Sequence, residues 1–225
     1  RLEALLGHDQ GAETLKDITK SCASAHLNWL TVFAFSSENW SRPEHEVAGL
    51  MRLIAKFIET QAQELLDANV RLRIIGRRDR FTDDLCAAIQ ALEQRSSKNT
   101  GLNLTVALDY GGRQDIASAA LAIAKEIEAG MLTADDVYDD LLKSRMSTKI
   151  LPPVDLLIRT GGEKRLSNFL LWDLSYAELF FSDKLWPDFT RSDLFDAITS
   201  FRGRQRRFGG GHYDIDQSLR AVVSD

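Results

Sequence analysis

The hydrophobic positions of this chain form two alternating kinds of pattern, short apolar runs and longer segments with helical spacing. The short runs, which are typical of buried strands, lie at residues 29–35, 70–75, 102–108, 154–158 and 179–181. The segments with helical spacing lie at residues 10–26, 44–67, 83–95, 116–127, 134–144 and 191–207. Strands that alternate with helices predict an α/β fold with a central, mostly parallel β-sheet flanked by helices. Because no linker or repeat interrupts the pattern, we expect one domain over residues 1–225.

The helix predicted from residue 44 onward has an unusually wide apolar face. Ser41, Pro43 and Glu44 predict its start, as a capping box with proline in the first turn. Leu53, Ala55 and Phe57 add to the main apolar stripe of this helix. Two interpretations stay open, a well-buried helix or a helix that forms the wall of an apolar tunnel.

Composition narrows the class of protein. The 225 residues are 44% hydrophobic and 27% charged, and the formal net charge is −5, which argues against nucleic acid as a partner. Cys22 and Cys86 have no metal-like spacing, and Cys22 lies on an apolar helix face, so we expect a buried thiol and a reducing compartment. No apolar run approaches the roughly 20 residues that would span a bilayer.

Three polar loops follow predicted strands. They are SSENWSR after residue 35, DYGGR after residue 108 and RTGGEKRLS after residue 158. Ligands of parallel α/β sheets bind beyond the carboxyl ends of the strands, so we expect these loops to meet at one site.

The loop RTGGEKRLS is the strongest candidate for binding chemistry. Arg159 and Arg165 can each form bidentate bonds to phosphate oxygens, and Ser167 adds a hydroxyl. Glycines allow a ligand to approach the backbone and expose N–H groups, so the loop predicts a diphosphate cradle. An ordinary surface turn with solvated cations is the alternative. The SSENW loop has a similar pair of interpretations, because its polar residues could orient a substrate or could simply cap the next helix.

Taken together, the motifs resemble the cis-prenyltransferase family. The matching segments, in order, are GHDQGA (7–12), FAFSSENWSRP (33–43), VRLRIIG (70–76), DYGGRQDI (109–116), PPVDLLIRTGGEKRLSNFLLW (152–172), YAELFFSDKLWPDF (176–189) and RQRRFGG (204–210). They cover nearly the whole chain, which makes the resemblance specific. The last of them resembles an arm that helps to close the partner subunit's site.

The resemblance implies a homodimeric transferase with an apolar tunnel. Its members condense isopentenyl diphosphate onto an allylic diphosphate such as farnesyl diphosphate, with cis geometry and with Mg²⁺ as cofactor. The expected product is a long-chain polyprenyl diphosphate, undecaprenyl diphosphate for the bacterial cell-wall carrier lipid, which partitions into the membrane. The expected location is the cytoplasm, with peripheral association at the inner face of the membrane left open.

The resemblance also implies roles for individual residues. Asn39 matches the proposed proton acceptor, and Glu178 in YAEL matches a magnesium ligand. The matches to substrate-binding positions are His8, Ser36, Ser37, Glu38, Trp40, Arg42, Arg159, Arg165, Leu166 and Ser167. Among them, Arg159, Arg165 and Ser167 correspond to the site for the diphosphate of isopentenyl diphosphate.

Residues 135–139 read DDVYD, the DDxxD spacing that all-helical trans-prenyltransferases use to bind magnesium. Here the motif follows Thr133 at a predicted helix start, where acidic residues favour the positive end of the helix dipole. The trans enzymes need two such motifs, and this sequence has one. We therefore predict that this motif does not bind the metal.

One signature of the family, a strand leading into an MDGNGRWA-like loop, is not found in residues 1–225. In the family it supplies an aspartate for magnesium and glycines for the allylic diphosphate. We expect the natural protein to carry this segment before Arg1 and to need it for activity. The alternative is a non-catalytic subunit or inactive paralogue, but the retained Asn39, Arg159 and Glu178 favour the enzyme.

Overall fold

The structure, a computed structural model, describes residues 2–60, 62–204 and 220–224; for residues 2–9, 220–222 and 224 it describes the secondary structure only. The rest of the predicted RQRRFGG arm beyond Arg204 lies outside the described residues. The described helices are α1 Leu2–Ser24, α2 Glu44–Thr60, α3 Ala62–Asp67, α4 Asp83–Ser96, α5 Gly112–Glu128, α6 Asp139–Arg145 and α7 Arg191–Arg202.

The described strands form a single six-stranded sheet, in which every strand pair is parallel. They are β1 Trp29–Ser36, β2 Arg71–Ile75, β3 Asn103–Tyr110, β4 Leu156–Arg159, β5 Glu178–Phe181 and β6 Arg220–Ser224, and their order across the sheet is β2-β3-β1-β6-β4-β5. The predicted α/β fold with a mostly parallel sheet flanked by helices is confirmed.

The sheet is buried on both faces, because side chains alternate between two hydrophobic clusters. In β4, Leu156 and Ile158 belong to a cluster shared with α1, α4 and α7, whereas Leu157 belongs to a second cluster with Phe169 and Leu174. Cys22 lies in the first cluster with no exposed surface, and burial raises the pKa of its thiol to about 12. The buried thiol predicted for Cys22 is therefore confirmed.

Several element boundaries differ from the predicted ones. The predicted helix 44–67 is described as two helices, α2 and α3, and α7 ends at Arg202 rather than near residue 207. The acidic helix predicted over 134–144 consists of a 3₁₀ turn, Ala134–Asp136, followed by α6. β6 was not predicted, although it pairs with both β1 and β4 in the middle of the sheet.

The register of the strands places the predicted loops at one edge. Ser36 pairs with Tyr110 at the carboxyl ends of β1 and β3, and Ser224 of β6 pairs with both Phe33 and Arg159. The loops that follow β1, β3 and β4 therefore leave the same edge of the sheet. None of the described helices is both long and apolar enough to cross a bilayer.

Candidate active site

The SSENW loop is a 3₁₀ turn, Ser37–Ser41, that follows β1 directly. Asn39 Oδ1 accepts a hydrogen bond from the Ser36 N–H at 2.9 Å, and Ser41 Oγ donates to the Glu38 carbonyl oxygen at 2.7 Å. The reciprocal capping pair is thus Ser36 with Asn39. The capping box predicted for Ser41 and Glu44 is misplaced, because Ser41 stabilises the turn that precedes α2.

Glu38 is the acidic group of this loop, and its carboxylate is held by two side chains. Asn168 Nδ2 donates to Glu38 Oε1 at 2.7 Å, and Ser37 Oγ donates to Glu38 Oε2 at 3.2 Å. Partial burial opposes ionisation of Glu38, but the hydrogen bonds, first of all the one from Asn168, outweigh it and keep its pKa below the ordinary value. Glu38 therefore presents a fixed negative charge beside the cationic loop.

Trp40 packs into the core instead of standing free in the loop. Its ring lies edge-on to Phe35, with centroids 5.3 Å apart, and next to Phe81. The guanidinium of Arg80 lies 4.8 Å above the Trp40 ring and forms a bidentate pair with the buried Asp109, with bonds of 2.9 and 2.7 Å. A cation held in this way orients the indole, so Arg80 and Asp109 brace the SSENW loop from β3.

The cationic turn that follows β4 is only partly the predicted cradle. Arg159 is 6% exposed at the carboxyl end of β4. The N–H groups of Gly161 and Gly162 donate to the carbonyl oxygens of Lys184 and Ser182, at 2.8 and 2.9 Å. The prediction that these glycines offer free N–H groups to a ligand is therefore wrong. They tie the turn to the segment after β5, so these two N–H groups are already used within the protein.

The rest of the turn is exposed and has an unusual backbone. The Arg165 side chain is 65% exposed and forms an ion pair with Glu163. Leu166 is half-buried against the second hydrophobic cluster. Ser167, Asn168 and Leu170 all have positive φ angles, of 48°, 64° and 40°. Residues other than glycine seldom adopt this conformation, and its concentration here indicates a turn that its surroundings fix tightly.

The DYGGR loop closes against the cationic turn at the start of α5. The Gly112 N–H donates to the Asn168 carbonyl oxygen at 2.7 Å, and the Arg113 N–H donates to Asn168 Oδ1 at 2.8 Å. Gly111 allows this contact, because a Cβ atom there would lie 2.5 Å from Ser37 Oγ and 2.7 Å from Asn168 Nδ2. The three predicted loops therefore meet, and Asn168 touches the other two.

An apolar cavity of about 380 Å³ lies between the sheet and the helices α1 and α2. Along α2 it is lined by Leu50, Leu53, Ile54, Phe57 and Ile58. Ala34, two residues before Ser36, lines it from β1, so the cavity approaches the carboxyl end of β1, from which the SSENW loop leaves. Of the two interpretations of α2, the structure therefore supports the wall of an apolar tunnel.

Not every residue implied by the resemblance lies at this edge. Glu178 begins β5, pairs in register with Leu156 at the amino end of β4, and accepts a hydrogen bond from Arg204 Nη1 at 2.7 Å. His8 lies in α1, and its side chain is outside the described part of the chain. Arg42 is exposed just before α2.

Within the acidic stretch 135–139, Asp136 has a structural partner. Asp136 Oδ2 accepts hydrogen bonds from the N–H and the hydroxyl of Thr133, both at 2.7 Å. These bonds cap a 3₁₀ turn and hold the pKa of Asp136 below its ordinary value. Among the described residues, no group of three His, Cys, Asp or Glu side chains is arranged to hold a metal ion.

An apolar cavity between a parallel sheet and its helices, near the edge from which polar and cationic loops leave, suits the chemistry of the prenyltransferases, and we assign the protein to that class. Solved structures support this assignment. The lavandulyl diphosphate synthase from Lavandula x intermedia, in complex with dimethylallyl diphosphate, superposes with a TM-score of 0.87 at 38% identity, covering 92% of this chain and 89% of that one. A probable undecaprenyl diphosphate synthase from Campylobacter jejuni superposes with a TM-score of 0.77 at 34% identity, covering 90% and 93%.

The chain belongs to the family described as "Putative undecaprenyl diphosphate synthase", whose model matches residues 1–209. An isoprenyl transferase from Geobacter sulfurreducens is 45% identical over 92% of this chain and 85% of its own length. A farnesyl-diphosphate-specific ditrans,polycis-undecaprenyl-diphosphate synthase from Pseudomonas syringae is 44% identical over 98% and 88%. The predicted membership of the cis-prenyltransferases is confirmed.

Proposed function

We propose that this protein condenses isopentenyl diphosphate onto farnesyl diphosphate and extends the chain, with cis double bonds, to undecaprenyl diphosphate. The observation that carries the proposal is the apolar cavity that extends along β1 as far as Ala34, two residues before the SSENW loop. A diphosphate at the loops would direct its hydrocarbon chain into this cavity. Burial gains about 0.8 kcal/mol per CH₂, so each five-carbon unit adds roughly 4 kcal/mol that favours continued elongation.

The residues of the turn supply charge where the reaction needs it. In each cycle the C–O bond to the allylic diphosphate breaks, a C–C bond forms to isopentenyl diphosphate, and a proton leaves the new unit. We assign Arg159, Arg165 and Ser167 to the diphosphate of isopentenyl diphosphate, His8 to the allylic diphosphate and Arg42 to substrate contact, as the resemblance implies. A positioned cation stabilises phosphate charge best in a partly dry site, which favours this role for the buried Arg159.

Asn39 is the residue we assign to the departing proton. Its Oδ1 already accepts from the Ser36 N–H, which fixes the amide at the end of β1. An amide is a weak base, so its contribution is to orient the reacting unit and to pass the proton on to the diphosphate or water. This role predicts that Asn39→Ala lowers kcat more than it raises either KM.

Mg²⁺ is the metal we propose, although Glu178 does not fit a preformed site in this structure. Its carboxylate is bonded to Arg204. Mg²⁺ commonly binds through one or two carboxylates together with substrate phosphates and water, so we expect it to arrive with the diphosphate. When bound it would neutralise phosphate charge. The assignment of Glu178 to the metal rests on the resemblance alone, because Glu178 lies at the amino end of β5, away from the loops. If Glu178 contacts Mg²⁺ during turnover, Glu178→Gln should raise the Mg²⁺ concentration needed for half-maximal turnover.

A homodimer is the assembly we propose, and the edge of the sheet supports it. β5 is the last strand on its side, and Tyr176, Leu179 and Phe181 are exposed on and beside it. Exposed apolar residues on a sheet edge are typical of an interface. Light scattering should give twice the chain mass, and Leu179→Lys should lower it, whereas Leu121→Lys on α5 should not. We further propose a cytoplasmic enzyme whose long product partitions into the membrane.

The deciding experiment is an elongation assay of the full-length natural protein. Farnesyl diphosphate, radiolabelled isopentenyl diphosphate and Mg²⁺ are supplied, and the dephosphorylated products are separated by chain length. We expect products of about undecaprenyl length and no incorporation without the allylic primer. Absence of incorporation would overturn the proposal. Incorporation that appears only after a second, different chain is added would instead identify the protein as a non-catalytic subunit.

A further inference from the structure

Asn168 is bonded through every polar atom of its side-chain amide. Nδ2 donates to Glu38 Oε1 at 2.7 Å and to Gln114 Oε1 at 2.9 Å, and Oδ1 accepts from the Arg113 N–H at 2.8 Å. Its backbone carbonyl accepts from the Gly112 N–H at 2.7 Å. An asparagine amide offers two N–H donors and one acceptor oxygen, so each of these groups of Asn168 has a hydrogen-bond partner.

These bonds join three parts of the chain that are far apart in sequence. Glu38 is 130 residues away in sequence, and Arg113 and Gln114 are 55 and 54 residues away. One partner belongs to the SSENW loop and the others to the first turn of α5, while Asn168 itself follows Ser167 directly in the cationic turn. A shift of the turn must therefore break bonds to two other loops.

The position selects asparagine for two reasons. Its φ of 64° lies in the left-handed region, which asparagine enters more readily than most other residues. Aspartate could still accept from Arg113 but could not donate to Glu38, and its charge would face another carboxylate. Serine would be too short and would offer a single donor. Only the amide both caps α5 and holds Glu38.

We propose that Asn168 is the positioning residue of the cationic turn, which sets Ser167 and Arg165 against the SSENW loop for binding of isopentenyl diphosphate. This inference rests on the proposed function for the identity of that ligand. Asn168 acts through its neighbours, because it locks Glu38 and the start of α5. The turn cannot rely on its glycines for this, since Gly161 and Gly162 are bonded toward β5.

Two variants separate the positioning role from a purely structural one. Asn168→Asp keeps the acceptor that caps α5 but loses both donors, and Asn168→Ala loses all three bonds. The matched control is Asn99→Ala, because Asn99 Nδ2 also ties a loop together by donating to the Leu66 and Val70 carbonyl oxygens, at 3.0 and 2.9 Å. Asn99 lies outside the site.

Steady-state kinetics gives the first readout. We expect Asn168→Asp to raise the KM for isopentenyl diphosphate by about tenfold, with the KM for farnesyl diphosphate changed less than about twofold, and to lower the unfolding temperature because its carboxylate faces Glu38. Asn168→Ala should raise the same KM and also lower the unfolding temperature. Asn99→Ala should lower the unfolding temperature and leave both KM values unchanged.

Limited proteolysis gives a second readout that needs no turnover. Lys164 and Arg165 are tryptic sites within the turn. Cleavage there should be about tenfold faster in both Asn168 variants than in the wild type or in Asn99→Ala, because local opening exposes the turn. A wild-type KM for isopentenyl diphosphate in Asn168→Asp would overturn the inference, and so would a wild-type rate of tryptic cleavage in that variant. A wild-type protein without elongation activity would overturn the proposed function, whereas the proteolysis would still decide the role of Asn168.

Discussion

Arg159 and Arg165 lie in the same turn but in different surroundings, and the difference predicts different mutant behaviour. Arg159 is buried at a strand end, whereas Arg165 is exposed and paired with Glu163. We expect Arg159→Ala and Arg165→Ala each to weaken binding of isopentenyl diphosphate by about 2–3 kcal/mol, through loss of a charge-assisted bond. Arg159→Ala should also lower the unfolding temperature, and Arg165→Ala should not, because exposed ion pairs contribute little to stability.

Kinetics and thermal unfolding measure these two effects separately. Glu163→Gln is the control, since it removes the partner of Arg165 and keeps the cation. It should leave both the unfolding temperature and the elongation activity near those of the wild type. Unchanged kinetics in both arginine variants would contradict the assignment of the turn.

The acidic stretch 135–139 allows a second test of single residues. Asp136 caps its own turn through Thr133, so we expect Asp136→Asn to lower the unfolding temperature slightly. Asp135→Asn combined with Asp139→Asn should leave Mg²⁺-dependent turnover within about twofold of the wild type. Elongation assays over a range of Mg²⁺ concentrations measure this. A folded double variant that lost more than about tenfold, roughly 1.4 kcal/mol in barrier, would show that the stretch binds metal.

For single residues, the sequence predicted the candidate site residues but not the residues that hold them in place through hydrogen bonds. Arg159 and Ser36 were predicted as candidates because polar groups at the ends of apolar strands carry a local signal. Asn168, Arg80 and Asp109 were missed as supporting residues, since their partners lie 29 to 130 residues away and no spacing rule connects them. The glycine N–H groups were misjudged for the same reason, because their acceptors follow β5.

Among the secondary structure elements, α7 has a start whose stability should depend on pH. Thr190 caps it, and Asp193 accepts from the N–H and the hydroxyl of Thr190, at 2.8 and 2.6 Å, and from Lys184 Nζ, at 2.7 and 2.9 Å. Partial burial opposes the charge of Asp193, but these bonds outweigh it and lower the pKa of its carboxyl from 3.8 to about 2. The folded pKa is below the unfolded one, so the stabilisation is complete above about pH 4 and disappears as the pH falls toward 2.

We therefore expect Asp193→Asn to lower the free energy of unfolding by about 1–2 kcal/mol at neutral pH. The difference from the wild type should shrink between about pH 4 and pH 2. Denaturant unfolding at a series of pH values measures it. Asp196→Asn, on the exposed side of α7, is the control and should change little. A deficit for Asp193→Asn that persisted at pH 2 would contradict the role of its charge.

Elements were predictable where the apolar pattern was long enough. β1 and β3 are eight-residue strands of mostly apolar residues, and they were found. β6 is only five residues, RAVVS, and nothing local distinguishes it from a loop. β6 is a strand because it pairs with β1 and β4. Pairing with segments so far away in sequence cannot be predicted from a short sequence window.

For the whole molecule, the cavity predicts control of product length. Ala34 lines it near the loops, and a larger side chain there would occupy space that the growing chain needs. We expect Ala34→Leu to shorten the main product by one or more five-carbon units, with little effect on the KM for isopentenyl diphosphate. Separation of the dephosphorylated products by chain length gives the result. Ala120→Leu, on the exposed side of α5, should leave the product unchanged.

The overall architecture was predictable because alternating strands and helices permit few arrangements, and ligands of parallel sheets bind beyond the strand ends. The cavity was one of two interpretations of the wide apolar face of α2. The sequence could not decide between them, because a buried helix and a cavity wall have the same apolar pattern. Only the packing of α1 and α2 across the sheet leaves the space open.

The positive φ angles of the turn lower the stability of the fold at residues that elongation requires. At Ser167 the left-handed backbone costs about 1 kcal/mol, which glycine would recover. A library of variants selected only for heat resistance should therefore accumulate glycine at position 167. A library selected for elongation should retain serine, because glycine loses the hydroxyl and loosens the turn. Comparison of the two selected populations by sequencing would show at which positions this enzyme has given up stability in favour of its chemistry.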